Sequence, residues 1–256
     1  MAILCDTHVH CYQFSEFGEL LDCAWRNFSR HSTNLEDDQF VLFFTDGNSD
    51  KTWHALNASI KSDSRQGEWS ITPFDEGRML LAEQPSKSKK ILIAPGRQIN
   101  SAERLEFLLL GCEEDLSDGT PAAAILQQHS DNFLVICPWG VGKWLSQRGK
   151  ILHTLLNQHG DGFFLGDNGG RPWFWGAKSH FTASKHQVLN GSDPLPISGE
   201  LSRVADFGVR LIGPQQVTSL SQLIAQLKSN TELKENFGRP MGLWQFVMKR
   251  IHMMRR

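Results

Sequence analysis

The sequence predicts an α/β fold with a largely parallel β-sheet, and three observations support this. Short apolar runs alternate with helical stretches along most of the 256 residues. Residues 40–44 and 91–94 are apolar at every position, which is typical of strands buried on both faces. Polar clusters directly follow these runs, and α/β proteins bind ligands at the carboxyl ends of their strands. We therefore expect a functional site at one end of a parallel sheet.

The predicted elements follow one another regularly. The first strand is expected at residues 3–5, and the first helix at 16–28, where apolar residues recur with a helical period. Further strands are predicted at 40–44, 69–83 (a hairpin), 91–94, 133–137, 162–165, 187–189 and 209–212. Helices are predicted at 121–128, 148–158, 219–228 and 242–253, whereas 105–110 fits either a strand or a short helix. We expect one body over 1–214, with a helical extension over 215–256 packed on it.

The composition is that of an ordinary globular protein. The net charge of −2 provides no global attraction to nucleic acid or membrane, so we expect neither as a partner. No apolar run approaches the roughly 20 residues that a membrane helix needs. The five cysteines are odd in number and scattered, which indicates reduced thiols and a cytoplasmic protein.

The first polar cluster, Asp6-Thr7-His8-Val9-His10, directly follows the first predicted strand. Residues two apart on an extended chain point to the same side, so Asp6, His8 and His10 are expected to face one way. Two imidazoles beside a carboxylate suit a divalent zinc, manganese or iron ion. The alternative at this stage is a polar strand end with two solvated histidines.

Five post-strand clusters together resemble the PHP (polymerase and histidinol phosphatase) family. They are residues 6–10, 45–48, 95–99, 135–138 and 191–193, and the resemblance covers residues 2 to about 196. It implies a distorted, TIM-like barrel of about seven strand–helix units with metals bound at the strand ends. The sequence departs from the family pattern at Gly47, Gln98, Cys137 and Leu195, where the family has histidine or glutamate. A complete three-metal centre therefore cannot be filled.

The resemblance still implies one metal position. His8, His10 and Asp193 match its ligands, and Gln98 takes the place of the fourth, a glutamate. An amide oxygen can bind a metal, but it carries no charge. Cys137 stands at a former ligand position and is either a thiolate ligand or an ordinary core residue.

The same comparison suggests how protons are handled. Asp6 is expected beside the metal ligands, where it would orient a histidine. Asp6, Asp46 and Asp167 are the candidates for proton transfer during hydrolysis.

Two glycine-rich stretches, residues 139–144 and 167–172, follow neighbouring strands and carry the expected substrate contacts. Lys143, Arg148 and Arg171 are predicted to share one mouth, together with Asn168 from the second stretch. Backbone amides and basic side chains of this kind suit an anion such as a phosphate group. The alternative is a pair of tight turns whose tryptophans fill the rim.

These features favour a metal-dependent hydrolase, a phosphoesterase acting on a small phosphorylated substrate at a single-metal site. Two alternatives remain open: a binding or scaffold protein that has lost its metal chemistry, and an amidohydrolase-like enzyme. Amidohydrolase-type barrels share the His-x-His opening and the Gly-Ser-Asp closing motif, but they need histidines after middle strands that this chain lacks. The basic segment at residues 244–256 is expected to be a last helix packed on the body, although contact with acidic lipid or nucleic acid is an alternative.

Overall fold

The computed structural model describes residues 1–48, 50–60, 65–140, 142–159, 162–170, 187–197, 199–213, 216–229 and 234–242. The described strands are β1 Ala2–Val9, β2 Gln39–Asp46, β3 Arg65–Gln66, β4 Trp69–Phe74, β5 Met79–Gln84, β6 Lys89–Asn100, β7 Glu106–Leu110, β8 Leu134–Pro138, β9 Phe163–Asp167, β10 Val188–Asn190, β11 Gly208–Ile212 and β12 Lys234–Phe237. The described α-helices are α1 Phe17–His31, α2 Thr52–Ile60, α3 Ala122–His129, α4 Ser146–His159 and α5 Leu220–Lys228. No helix in these ranges is long and apolar enough to cross a membrane.

The described strands form a single mixed sheet in the order β10-β9-β8-β7-β6-β2-β1-β11-β12. Strands β1, β2 and β6 are mutually parallel, as are β8, β9 and β10. Strand β7 runs antiparallel between these groups, and the β4–β5 hairpin pairs antiparallel with β6. The predicted α/β class is confirmed, but the sheet is mixed because β5, β7, β11 and β12 all run antiparallel to their neighbours.

The sheet curls into a nearly closed barrel because β10 returns to β1. The Asp193 amide donates to the His8 carbonyl at 2.8 Å, and Thr7 Oγ1 donates to the Asn190 carbonyl at 3.0 Å. A Cβ at Gly191 would lie 2.6 Å from the His8 backbone nitrogen, so only glycine permits this approach. Gly191 therefore allows the segment after β10 to approach β1 and nearly close the barrel.

Alternating strand residues fill the barrel. Cys5, Phe43, Ala94, Leu108 and Ile136 belong to one buried cluster, which also receives four apolar side chains of α5. Lys228 of that helix donates to the carbonyls of Ser130 and Asp131, which precede β8. Helix α5 therefore packs at the amino-terminal end of the parallel strands, which leaves their carboxyl ends for the site.

Helix α2 and strands β3 and β12 were not predicted. Helix α2 buries only Thr52, Trp53 and Leu56 and lacks a long apolar period. Strand β12 has one buried residue, Phe237, and is a strand because it pairs with β11. The predicted helix at 219–228 is confirmed, and the Ser219 hydroxyl accepts a bond from the Gln222 amide at its start. The helix predicted at 242–253 lies outside the described residues apart from Gly242.

Candidate metal centre

The two histidines of the opening motif meet at the end of β1. Both are almost completely buried, and their Nε2 atoms lie 3.0 Å apart. The pairing of β1 with β2 shifts register between Asp6 and Val9, so the strand is irregular where the histidines leave it. Two imidazole nitrogens at this distance, buried together, form one half of a ligand set.

Asp193 reaches the same place from the segment that follows β10. Its Oδ1 lies 3.7 Å from His8 Nε2 and 4.0 Å from His10 Nε2. Its φ of 45° is in the left-handed region, which a non-glycine residue adopts at a cost of about 1 kcal/mol or more. The backbone is therefore held in a disfavoured conformation at the position where the carboxylate meets the histidines.

Gln98 on β6 adds a neutral oxygen. Its Oε1 lies 3.0 Å from His8 Nε2. Tetrahedral zinc with bonds of about 2.1 Å separates its ligand atoms by roughly 3.4 Å. The four distances among these side chains, 3.0, 3.0, 3.7 and 4.0 Å, bracket that value. Two imidazoles, a carboxylate and an amide oxygen thus fit a single divalent ion, and His8, His10 and Asp193 form the one potential metal-binding group among the described residues.

Asp50 orients His10. Its Oδ2 lies 2.7 Å from His10 Nδ1, and its Oδ1 accepts a bond from the Gly47 amide at 2.9 Å. Burial opposes ionisation of Asp50, but the hydrogen bond and charge of His10 outweigh it and lower the pKa of Asp50. An ionised carboxylate only accepts, so His10 Nδ1 carries the proton and Nε2 presents its lone pair to a metal.

Asn168 orients Asp193 in the same way. Its Nδ2 donates to Asp193 Oδ2 at 2.8 Å and to the Trp139 carbonyl at 3.2 Å. This bond engages Oδ2, while Oδ1 is the oxygen nearer the histidines. The sequence analysis predicted Asn168 as a substrate contact, and in the structure its amide donates to the carboxylate that lies beside the two histidines.

The surroundings of the two histidines shift their pKa values in opposite directions. Burial lowers the pKa of His8, and this effect outweighs the opposing charge of Asp193. Burial acts on His10 too, but its hydrogen bond with Asp50 and the charges of three carboxylates raise its pKa. Protons therefore compete with a metal more strongly at His10 than at His8.

The three predicted proton-transfer carboxylates all bind main-chain amides. Asp6 accepts from the amides of Ser192, Ala205 and His8 at 2.8, 2.8 and 3.2 Å. Asp46 Oδ2 accepts from the Trp53 amide at 2.8 Å, and Asp167 Oδ1 from the Gly169 amide at 3.0 Å. Burial raises the pKa of Asp6 and of Asp46 to about 6 in each case. Asp6 thus ties the β1 end to the closing motif.

Cys137 is not part of the group formed by His8, His10 and Asp193. In β8, Leu134 and Ile136 point into the barrel, whereas Val135 and Cys137 belong to the outer cluster beneath α3 and α4. Burial, followed by the charge of Glu106, raises the pKa of the Cys137 thiol to about 12. All five cysteines are buried and free, in keeping with the predicted reduced thiols.

The described members of the predicted phosphate-binding set all have partners within the protein. Lys143 is ion-paired with Glu106, and its side chain remains 33% exposed. Arg148 donates to the carbonyls of Gly142 and Arg104 at 2.8 and 3.4 Å. Arg171 lies outside the described residues. Among the described basic groups of this set, Lys143 is the one linked to the candidate metal centre. Its partner Glu106 is one of the charges that act on His8.

Asp50 and Glu106 were missed by the sequence prediction. Asp50 lies in the polar turn after β2, next to β1 in the sheet, and that position was its only signal. Glu106 begins β7, two residues from Leu108 on the inner face, so its side chain is directed towards the barrel mouth.

Three solved structures share the fold of this chain. PsfC from Pseudomonas syringae PB-5123 is 15% identical, with a TM-score of 0.60, over 98% of this chain and 97% of its own. The lesion-specific endonuclease PfuEndoQ from Pyrococcus furiosus is 14% identical, with a TM-score of 0.55, over 93% of this chain and 59% of its own. An Endonuclease Q complex with a 27-mer duplex is 13% identical, with a TM-score of 0.51, over 98% and 67%.

These neighbours overturn one expectation. The net charge of −2 led us to exclude a nucleic-acid partner, yet two of the three structures are endonucleases and one holds duplex DNA. The exclusion was wrong because net charge averages the whole surface, whereas a strand entering a cleft meets only the groups at its mouth.

No family model and no curated protein matches the sequence. The structural likeness, at identities of 13–15%, extends to the fold. Together with the barrel and the strand-end position of His8, His10 and Asp193, it shows that the chain has a PHP-like fold.

Proposed function

We propose that this protein is a metal-dependent phosphoester hydrolase with one divalent ion held by His8, His10, Asp193 and Gln98. The convergence of two imidazole nitrogens and a carboxylate oxygen, all within 4.8 Å of one another, carries this proposal. The hydrogen bonds around the proposed ligands add support. Asp50 bonds to His10 Nδ1 and Asn168 to Asp193 Oδ2, which leaves His10 Nε2 and Asp193 Oδ1 for a metal. Such partners are characteristic of metal-binding histidines and carboxylates.

A divalent ion at this position would supply a bound water with a pKa near 7 and would polarise a phosphoryl oxygen. The chain's own residues would hold and orient the reactants. His8 and His10 bind as neutral imidazoles, and Asp193 supplies the one ligand charge. Lys143, partly exposed beside Glu106, is the candidate contact for a phosphate oxygen. A carboxylate at the mouth, Glu106, is available to take up a proton.

The substrate proposed is a phosphodiester of nucleic acid, with a small phosphomonoester as the alternative. The endonuclease neighbours favour the phosphodiester, since they share the fold over most of this chain. The substitution of Gln98 for a glutamate leaves the site one negative charge poorer, which eases the approach of an anionic ester.

The test combines metal content and hydrolysis. Protein purified without chelator is analysed for bound metals by mass spectrometry, and Mn²⁺ and Zn²⁺ are titrated against its melting temperature. Hydrolysis is then measured on bis-p-nitrophenyl phosphate, p-nitrophenyl phosphate and a labelled oligonucleotide. We expect about one metal per chain and a faster reaction on the diester. His8→Ala should abolish both, whereas His153→Ala, a histidine on α4, should change neither.

The competing functions predict other results. A binding or scaffold protein would bind oligonucleotide equally well with His8→Ala and would hydrolyse nothing. An amidohydrolase-like enzyme would act on amides or lactones and leave phosphoesters intact. Absence of metal from the purified protein, with no stabilisation by added Mn²⁺ or Zn²⁺, would refute the proposed hydrolase.

A further inference from the structure

Among the described phenylalanine, tyrosine and tryptophan residues, only Tyr12 is exposed. The residue is 40% exposed, whereas every described tryptophan and phenylalanine is buried or partly buried. It is also the only tyrosine in the chain. An exposed aromatic ring is unremarkable on its own, so its position decides whether it has a function.

The position of Tyr12 is beside the metal ligands. Its ring stacks on that of His10, with centroids 5.5 Å apart and planes 28° from parallel. Partial burial, followed by the charges of Asp193, Asp50 and Glu106, raises the pKa of its phenol, as expected of a group at the mouth of the site. The ring therefore rests on a proposed metal ligand, while part of the residue remains exposed to solvent.

The stacking geometry suits a planar ligand. A second flat ring placed beside Tyr12 would extend the stack begun by His10, next to the position of the metal. Stacking of a base on an aromatic side chain is favourable and depends little on sequence, because every base has a π-face. Stacking would add to the affinity that a contact between Lys143 and a phosphate supplies.

We propose that Tyr12 is a substrate-binding residue that stacks on an unpaired nucleobase adjacent to the phosphoester presented to His8, His10 and Asp193. The substrate class is then a single-stranded or locally unpaired polynucleotide rather than a small phosphorylated alcohol. This inference rests on the proposed function for the identity of the reacting group. It assigns the binding contribution to the ring of Tyr12 and not to its hydroxyl.

The test compares two fluorescent oligonucleotides of equal length in the presence of Mn²⁺. One is a thymidine homopolymer, and the other has the same backbone with tetrahydrofuran in place of each base. Fluorescence anisotropy should show that the protein binds the thymidine strand about tenfold more tightly. Tyr12→Leu should remove most of this preference and leave affinity for the base-free strand unchanged, whereas Tyr12→Phe and Tyr12→Trp should keep it.

The matched variants separate the possible failures. Equal binding of the two strands by the unaltered protein, or no binding of either, would overturn the inference. So would a Tyr12→Phe variant that behaves like Tyr12→Leu, or a Tyr12→Leu variant that weakens both strands equally. Metal content and melting temperature are measured for each variant, so that loss of the His10 contact is recognised. Strand cleavage is followed in parallel: a base preference without cleavage would refute the hydrolase and leave the stacking role standing.

Discussion

His10 Nδ1 and Asp50 Oδ2 lie 2.7 Å apart in the barrel rim, and this hydrogen bond decides which face of His10 can bind a metal. The ionised carboxylate fixes the proton on Nδ1 and turns Nε2 towards His8 and Asp193. Gly47 stands where the PHP pattern has a histidine. Its amide donates to the other oxygen of Asp50 and so holds this carboxylate in place.

Asp50→Asn should weaken metal binding by about 10- to 100-fold, because the amide leaves His10 less basic and less firmly oriented. Competition with a fluorescent chelator measures the dissociation constant. Asp37→Asn is the matched control, since Asp37 is exposed and contacts Asn34. Unchanged affinity in Asp50→Asn would show that His10 needs no such partner.

Gln98→Glu should bind metal more tightly, by about tenfold or more, because it adds a negative charge to the ligand set. The same change should lower the melting temperature of the metal-free protein, since Asp193 already places a carboxylate nearby. Both quantities follow from calorimetry with and without Zn²⁺. The exposed residue Gln147 provides the control, Gln147→Glu, which should alter neither. Weaker metal binding by Gln98→Glu would place residue 98 outside the ligand set.

The sequence could bring the candidate metal ligands together because they lie near the ends of strands or just after them. His8, His10 and Gln98 come from strands that the apolar runs identify, and Asp193 follows the closing Gly-Ser motif. The role of Cys137 could not be predicted, because Ile136 and Cys137 are both apolar and buried. A strand buried on both faces loses the alternation that tells its inward side from its outward side. The Lys143–Glu106 ion pair could not be predicted either, because its two residues are distant in sequence and meet only in the folded barrel.

Cys137→Ala should leave metal affinity unchanged, because the thiol belongs to the outer cluster. With a pKa of about 12, about one Cys137 in ten thousand is a thiolate at pH 8, so it should react slowly with an aromatic disulfide reagent. Absorbance of the released thiol follows this reaction, and denaturant should expose all five cysteines. Rapid labelling of Cys137 in the folded protein, or loss of metal binding in Cys137→Ala, would instead support Cys137 as a metal ligand.

The pH dependence of stability should reveal the burial of Asp6. Its pKa is about 6 in the folded protein, against about 3.9 for an unfolded aspartate. The folded state therefore binds this proton more tightly, so the stabilisation from protonated Asp6 is present below about pH 4 and lost as the pH rises to about 6. In Asp6→Asn this change is absent. The free energy of unfolding of the native protein, relative to Asp6→Asn, should fall by about 2 kcal/mol between pH 4 and pH 7.

Urea denaturation of both proteins with chelator present measures this difference and keeps metal binding out of it. The exposed Asp131→Asn is the control for replacing a carboxylate by an amide outside the barrel. The Asp6 difference has an informative sign because two effects compete at that carboxylate. Burial favours the protonated form, whereas the amides of Ser192, Ala205 and His8 favour the ionised form. If the difference rises with pH, the three amides outweigh burial. Asp6 then accepts their hydrogen bonds as an ionised carboxylate over the whole pH range tested.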